Sequence, residues 1–243
     1  MKGAVVMIIT STEIQNNFGK YLGLVEQEDI IISKNNKKVA RLVKYYESND
    51  YIIREGSSAY SHEGMRVTYQ EFLDIVRESE NRYEYIDGQI YLLASPKVRH
   101  QKIVAYIFSV LYSWFKDKNC IPLTSPLDVT LYKEDNPNVV QPDLLVICDQ
   151  ENIEEDDTYR GIPTLVVEVL SESSRSKDII KKLDLYRLSG VKEYWIVNPF
   201  SEEVNMYFFI DNEIENLTTY KKKERAKSLA FSGLDIDIND VFE

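Results

Sequence analysis

Short apolar runs alternate with longer amphipathic stretches over residues 66–210, a pattern typical of an α/β protein. The clearest run is Leu165–Leu170, in which leucine and valine surround a single acid, Glu168. A second run, Leu144–Ile147, directly follows Asp143. Runs of this kind predict strands that are buried on both faces of a sheet. The two acids, one inside a buried strand and one at the start of another, need a physical explanation.

Several local signals predict the elements around these strands. Residues 97–116 carry apolar side chains at helical spacing, and Thr68 with Glu71 has the spacing of a capping box at the start of another helix. Asp87-Gly88 lies between two alternating runs and predicts a tight hairpin. The predicted core is therefore a mixed β-sheet flanked by helices, in the α/β or α+β class.

The first residues form a separate pattern. Ile8 and Ile9 predict a short strand, and Thr10–Glu13 predicts a helix start that is rich in hydroxyl groups. A hairpin with a basic tip, Lys34–Lys38, follows. Such a small α+β unit buries little surface by itself, so we expect it to dimerise or to dock on another surface. The predicted domains are residues 1–47, a linker at 48–65, and residues 66–243.

Composition limits the possible function. The chain has 243 residues and a net charge of −11, which argues against a protein that coats nucleic acid by neutralising phosphates, but not against a nuclease. No apolar run has the length of a bilayer-spanning helix, so we expect a cytoplasmic protein without membrane contact. With two cysteines far apart and two histidines, we expect neither a zinc site nor a disulfide framework.

The buried acids suggest a cation. Asp143 and Glu168, on neighbouring strands, would repel each other unless a positive charge lay between them. Their hard oxygen atoms favour magnesium, manganese or calcium over zinc. The alternative is a structural ion pair between Glu168 and a lysine or arginine.

Other polar groups are candidates for the same site. Asp178, Lys182 and Tyr186 recur every four residues and would share one helix face, from which Lys182 could reach the acids. Glu84 lies on the first strand of the predicted hairpin, and His100 lies in the first turn of the long helix, where we expect it opposite Glu84.

These segments together resemble the Uma family of restriction endonuclease-like proteins. The resemblance runs from residue 66 to about residue 210 and is carried by many motifs in the family's order. The motifs are Tyr83-Glu84-Tyr85-Ile86-Asp87-Gly88, Ser95-Pro96 with His100-Gln101, Leu127-Asp128-Val129, Val140-Gln141-Pro142-Asp143-Leu144, Val166-Val167-Glu168-Val169-Leu170-Ser171, Asp178 with Lys182 and Tyr186, and Gly190-Val191-Lys192-Glu193-Tyr194-Trp195.

The resemblance implies a PD-(D/E)XK nuclease fold and a metal-dependent endonuclease that hydrolyses DNA with Mg²⁺ or Mn²⁺. It implies that Asp143, Glu168 and Glu84 bind the metal and that Lys182 is the catalytic ammonium. His100, Asp178 and Tyr186 are auxiliary candidates. One departure is Leu170, which stands where the superfamily has lysine, so Lys182 would have to supply that charge from the following helix.

Residues 7–46 resemble a second family, the Phd/YefM antitoxins. The resemblance is carried by Ile9–Leu22 and by Val39–Val43. It implies a homodimer that binds operator DNA or a toxin through this N-terminal unit. The alternative function is therefore a non-catalytic regulator with a nuclease fold, or an antitoxin-like DNA-binding repressor.

Overall fold

The structure is a computed structural model, and it describes residues 7–25, 30–34, 37–42, 64–171 and 181–243. The chain divides into two compact units, Met1–Ile52 and Ile53–Glu243. Asp178 and all of the predicted linker except Gly64 and Met65 lie outside the described residues.

The N-terminal unit is a three-stranded sheet with two short helices. Its elements in order are β1 (Met7–Thr10), α1 (Ser11–Asn16), α2 (Phe18–Leu24), β2 (Ile30–Lys34) and β3 (Lys37–Leu42). Strand β1 pairs in parallel with β2, which pairs antiparallel with β3. The predicted hydroxyl-rich helix start is confirmed, since the Thr10 side chain accepts a hydrogen bond from the Glu13 amide. Ile9, Ile14 and Tyr21 are among the residues that form its core.

The second unit carries the remaining elements. Along the chain they are α3 (Tyr69–Glu78), β4 (Tyr83–Ile86), β5 (Gln89–Leu92), α4 (Val98–Phe115), β6 (Ile121–Thr124), β7 (Val129–Lys133), β8 (Asn136–Val140), β9 (Leu144–Ile147), β10 (Leu165–Val169), α5 (Leu183–Leu188), β11 (Glu193–Asn198), β12 (Glu203–Ile210), β13 (Glu213–Lys221), β14 (Arg225–Lys227), β15 (Asp235–Asp237) and α6 (Ile238–Val241).

A mixed six-stranded sheet forms the centre of this unit. Its strand order is β13-β12-β11-β10-β9-β6, and all neighbours are antiparallel except β10 and β11. Strands β9 and β10 are buried along their whole length, as their apolar runs predict. Because β9 and β10 are neighbours, Asp143 and Glu168 come from adjacent strands.

A second sheet was not predicted as separate from the first. It has four antiparallel strands in the order β5-β4-β8-β7. The Asp87-Gly88 hairpin joins β4 to β5 as predicted, with both residues at positive φ. Strand β8 was missed because its Asn136-Pro137-Asn138 start is typical of a turn. The proline is tolerated because β8 pairs with β4 only at Val139.

The central sheet has a hydrophobic core on each face. Helix α4 and the C-terminal segment pack on one face, against residues such as Leu144, Val167 and Val197. Helix α5 and the four-stranded sheet pack on the other, against Leu145 and Val166. Side chains alternate along a strand, so Glu168 shares the second face with Val166 and Leu170. Its carboxylate therefore points toward the second sheet and α5.

The expectation that the two cysteines do not form a disulfide is wrong. Cys120 and Cys148 form a disulfide, with their Cα atoms 4.2 Å apart. Each lies one residue beyond the paired residues Ile121 and Ile147 of β6 and β9, so the antiparallel register places the two cysteines opposite each other. The two cysteines are 28 residues apart in sequence, so their contact could not be predicted without the strand pairing. Among the residues that the structure describes, no helix is long and apolar enough to cross a bilayer.

Candidate functional site

A buried ammonium group lies between two buried carboxylates. The Lys182 Nζ atom is 2.8 Å from Glu84 Oε1 and 2.6 Å from Glu168 Oε1. The side chains of Lys182, Glu84 and Glu168 are 3%, 0% and 5% exposed. Charges that are removed from water need direct partners, and these three provide them for one another. They come from β4, from β10 and from the residue that precedes α5, so the site joins both sheets and a helix.

Tyr186 completes the environment of Glu168. Its phenol, one helical turn after Lys182, donates a 2.7 Å hydrogen bond to Glu168 Oε1. Burial raises the pKa of Tyr186 well above its usual range, and the negative charge of Glu168 raises it further, while Lys182 partly offsets these effects. The phenol therefore remains a protonated donor at neutral pH.

Asp143 forms the more accessible part of the site. Its Oδ2 atom accepts a 2.8 Å hydrogen bond from the amide of Val169, the residue that follows Glu168. The same oxygen lies 3.1 Å from Nε2 of His100 in the first turn of α4. The side chains of Asp143 and His100 are 20% and 12% exposed, so both can meet solvent or a ligand.

A backbone hydrogen bond links the two parts of the site. The amide of Gln141, two residues before Asp143, donates a 3.1 Å hydrogen bond to Glu84 Oε1. The Gln141 side chain donates a 2.8 Å hydrogen bond to Asp128. This bond also holds the segment Gln141–Asp143, which we call the Gln141–Asp143 corner. Glu84 therefore contacts both the ammonium group and the chain that leads into Asp143.

The predicted residues assemble only in part as expected. Lys182 and Tyr186 lie on the predicted helix face and both reach Glu168, as their spacing indicated. His100 contacts Asp143, whereas the sequence had placed it opposite Glu84. Asp178 lies outside the described residues. The amides of Gln141 and Val169 could not be found from sequence, because every non-proline residue has an amide and only the fold shows where it points.

The donor atoms of the site can be compared with those that a metal ion prefers. Among the residues that the structure describes, no three histidine, cysteine or acidic side chains group closely enough to hold a metal. Asp143 and Glu168 nevertheless offer only oxygen atoms from adjacent strands, the donor type that Mg²⁺ and Mn²⁺ prefer. These two residues fit a divalent cation in type, although Glu168 and Glu84 both already contact Lys182.

A comparison with solved structures defines the class of fold. The chain superposes with a TM-score of 0.61 on a crystal structure from Anabaena variabilis that is described as a putative nuclease belonging to DUF820. The match has 23% sequence identity and covers 72% of this chain and 97% of that one. The protein thus has a restriction endonuclease-like fold.

Comparison with protein families identifies the family. Residues 69–239 match the family Uma2, described as "Putative restriction endonuclease". The chain belongs to this family, as its motifs predicted.

Two proteins of Synechocystis sp. are related to the chain over much of its length. The uncharacterized protein slr1290 is 25% identical over 178 residues, which cover 73% of this chain and 92% of the relative. The uncharacterized protein sll1609 is 24% identical over 144 residues, which cover 58% of this chain and 80% of the relative.

The N-terminal residues match a different family. Residues 7–53 match the family described as antitoxin Phd_YefM of the type II toxin-antitoxin system. The predicted resemblance of this unit to antitoxins is confirmed. The chain therefore combines an antitoxin-like unit with a restriction endonuclease-like unit.

Proposed function

We propose that the protein is a metal-dependent endonuclease that hydrolyses phosphodiester bonds in DNA. The observation that carries the proposal is the buried Lys182 ammonium held between Glu84 and Glu168, beside a third acid, Asp143, on the adjacent strand. Stability alone does not favour this arrangement, because desolvating charges costs free energy that their attraction only partly returns. Clusters of buried charged groups are common at functional sites.

In the proposed site, Asp143 and Glu168 hold the divalent ion, with Mg²⁺ or Mn²⁺ as the ion of matching chemistry. Nucleases of the restriction endonuclease class usually use divalent metals. Such an ion lowers the pKa of a bound water and neutralises charge on the leaving oxygen. Lys182 offsets the negative charge that develops on the phosphate during attack.

The remaining side chains orient these groups. Tyr186 donates to Glu168 Oε1 and so directs that carboxylate, and the amide of Val169 does the same for Asp143 Oδ2. The His100 imidazole, at 3.1 Å from Asp143, can hold or transfer a proton at Nε2 at the exposed edge of the site. Asp178 retains the auxiliary role that its family motif implies.

The proposal is tested by incubating the full chain with supercoiled plasmid and Mn²⁺. Wild type should nick the plasmid, and chelation by EDTA should stop the reaction. Asp143→Asn and Glu168→Gln remove the charge of each proposed ligand with almost no change of shape, and each should abolish nicking. A wild-type protein that leaves plasmid intact with both Mg²⁺ and Mn²⁺ contradicts the proposal.

A second candidate function is a DNA-binding repressor that acts through the antitoxin-like unit. The match of residues 7–53 favours it. Within this unit Ile8, Phe18, Leu22 and Val39 are each about half exposed, which favours a homodimer that covers them. Sedimentation of the full chain and of its Phe18→Asp variant tests this. A dimer that persists unchanged in the variant argues against an interface at α2, and operator binding without plasmid nicking would make the protein a repressor.

A further inference from the structure

Glu84 differs from the other acids of the site in its surroundings. Its side chain has no exposed surface, and one oxygen, Oε1, is shared between the Lys182 ammonium and the Gln141 amide. Strand β4, which carries it, is an inner strand of the four-stranded sheet, paired on both sides. The carboxylate is therefore held by a rigid element that belongs to a different sheet from β9 and β10.

Glu84 is placed to hold Lys182 when a cation occupies Glu168. Glu168 Oε1 is contacted by both Lys182 and Tyr186. A cation on Glu168 would repel the ammonium, since like charges at contact distance disfavour each other. Glu84 is the second acid in contact with Lys182, and it keeps the ammonium beside the reaction centre. Its bond to the Gln141 amide fixes the chain before Asp143 at the same time.

We infer that Glu84 is a positioning residue, which holds Lys182 and the Gln141–Asp143 corner, and not the third metal ligand. The inference rests on the proposed function, and it changes the role that the sequence motif implies for this acid. A residue that acts through Lys182 affects the rate only when Lys182 is present. A metal ligand affects the rate through the occupancy of the metal, which a higher metal concentration restores.

The substitution Glu84→Gln isolates this role, because the amide oxygen can still accept from Gln141 while the charge that attracts Lys182 is lost. Glu193→Gln is the matched control: Glu193 is equally buried, on β11, where it accepts from Trp195 and from Ser228 and Ala230. Chemical acetylation is carried out on the metal-free proteins in a Glu168→Gln background, which removes the charge of the other acid that contacts Lys182. Mass spectrometry of the products then measures how well Glu84 holds Lys182. We expect acetylation of Lys182 to be at least about fivefold faster in Glu84→Gln and unchanged in Glu193→Gln.

Plasmid nicking gives the catalytic readout. Losing one correctly placed group that stabilises the transition state costs roughly a hundredfold in kcat. We expect this loss in Glu84→Gln, with KM unchanged, because Lys182 is no longer held in place. Added Mn²⁺ should not restore the rate. In a Lys182→Met background, Glu84→Gln should change the rate by less than about threefold, since coupled residues are not additive.

Each result bears on one of the two proposals. The inference is overturned if high Mn²⁺ restores the nicking rate of Glu84→Gln. It is also overturned if Glu84→Gln lowers the rate by the same factor with and without Lys182, because Glu84 would then act independently of Lys182. Equal acetylation of Lys182 with and without Glu84→Gln in the Glu168→Gln background overturns it even if no variant cuts DNA. If all proteins are inert but acetylation rises in Glu84→Gln, the proposed nuclease function fails while the positioning of Lys182 by Glu84 stands.

Discussion

At the scale of single residues, the main feature of the candidate site is a cluster of buried charged side chains. Lys182 is enclosed by two carboxylates, and Tyr186 and the Gln141 amide supply further hydrogen bonds to the same acids. Each partner is needed because a charge left alone in an apolar environment costs far more than a satisfied pair contributes. Single substitutions and paired substitutions should therefore have very different effects.

We expect Lys182→Met to lower the free energy of unfolding by about 3–5 kcal/mol, because it removes the ammonium that contacts two buried carboxylates, Glu84 and Glu168. Urea denaturation measures this change. Lys181→Met is the control, since the neighbouring ammonium contacts Gln89 and Tyr91 in a more open place and should cost about 1 kcal/mol. Adding Glu168→Gln to Lys182→Met should recover part of the loss. Equal stabilities for the two lysine variants would contradict the importance of the buried cluster.

A second residue-scale prediction concerns Asp149, which lies two residues after the end of β9. Partial burial acts to raise the pKa of Asp149, but hydrogen bonds from Tyr159 (2.7 Å), Asn152 and the Ile162 amide outweigh it and leave the pKa below its usual value of 3.8. A lowered carboxylate pKa stabilises the fold at pH values above 3.8, and this contribution is lost as the pH falls through the folded-state pKa.

The measurement compares wild type with Asp149→Asn between pH 7 and pH 3. The difference in unfolding free energy should be constant near neutrality and should shrink below about pH 4. A difference that does not change with pH would show that the charge of Asp149 does not contribute to stability.

At the scale of elements, hydrogen-bonding caps and turns fix where each segment begins. The Thr68 capping box is present in full, with Glu71 bonded back to the Thr68 amide at 2.7 Å. Asp211 and Asn212, both at positive φ, join β12 to β13. These signals work from sequence because all their partners lie within a few residues.

The disulfide between Cys120 and Cys148 links the paired strands β6 and β9. Because the bond closes a loop of 28 residues, reduction should lower the free energy of unfolding by about 3–4 kcal/mol through the entropy of the unfolded chain. Thermal melts with and without dithiothreitol measure the loss. A variant with both cysteines changed to alanine should have the melting temperature of the reduced protein. Dithiothreitol should not change that temperature. Identical melts of oxidised and reduced wild type would contradict the prediction.

At the scale of the whole molecule, two units with different relatives share one chain. One matches antitoxins and the other a restriction endonuclease family. A nuclease needs access to DNA in spite of a net charge of −11, which repels phosphate over long distances. A divalent cation at the proposed site would offset this repulsion locally.

We expect Mg²⁺ or Mn²⁺ to stabilise the folded protein, because an ion that binds only the native state adds RT ln(1 + [L]/Kd), about 2.7 kcal/mol at a hundredfold excess over Kd. Thermal melts over a titration of each metal test this. Asp143→Asn/Glu168→Gln is the control and should show no shift beyond that given by a matched ionic strength of NaCl. A wild-type melting temperature that does not respond to either metal would argue strongly against the metal site.

The sequence determined the buried strands β9 and β10, the long helix, the Asp87-Gly88 hairpin, the caps and the family, since each depends on local periodicity or on short motifs. It also placed Lys182 and Tyr186 on one face, because helical spacing fixes that relation. It could not determine that β8 joins a second sheet, that Cys120 meets Cys148, or that His100 faces Asp143. Those contacts join residues that are distant along the chain, and their free energies depend on the register and packing of whole sheets. Only the tertiary structure showed that Glu84 reaches Lys182 and the amide of Gln141. Both partners are distant from Glu84 along the chain, and the direction of a backbone amide cannot be deduced from the residue type.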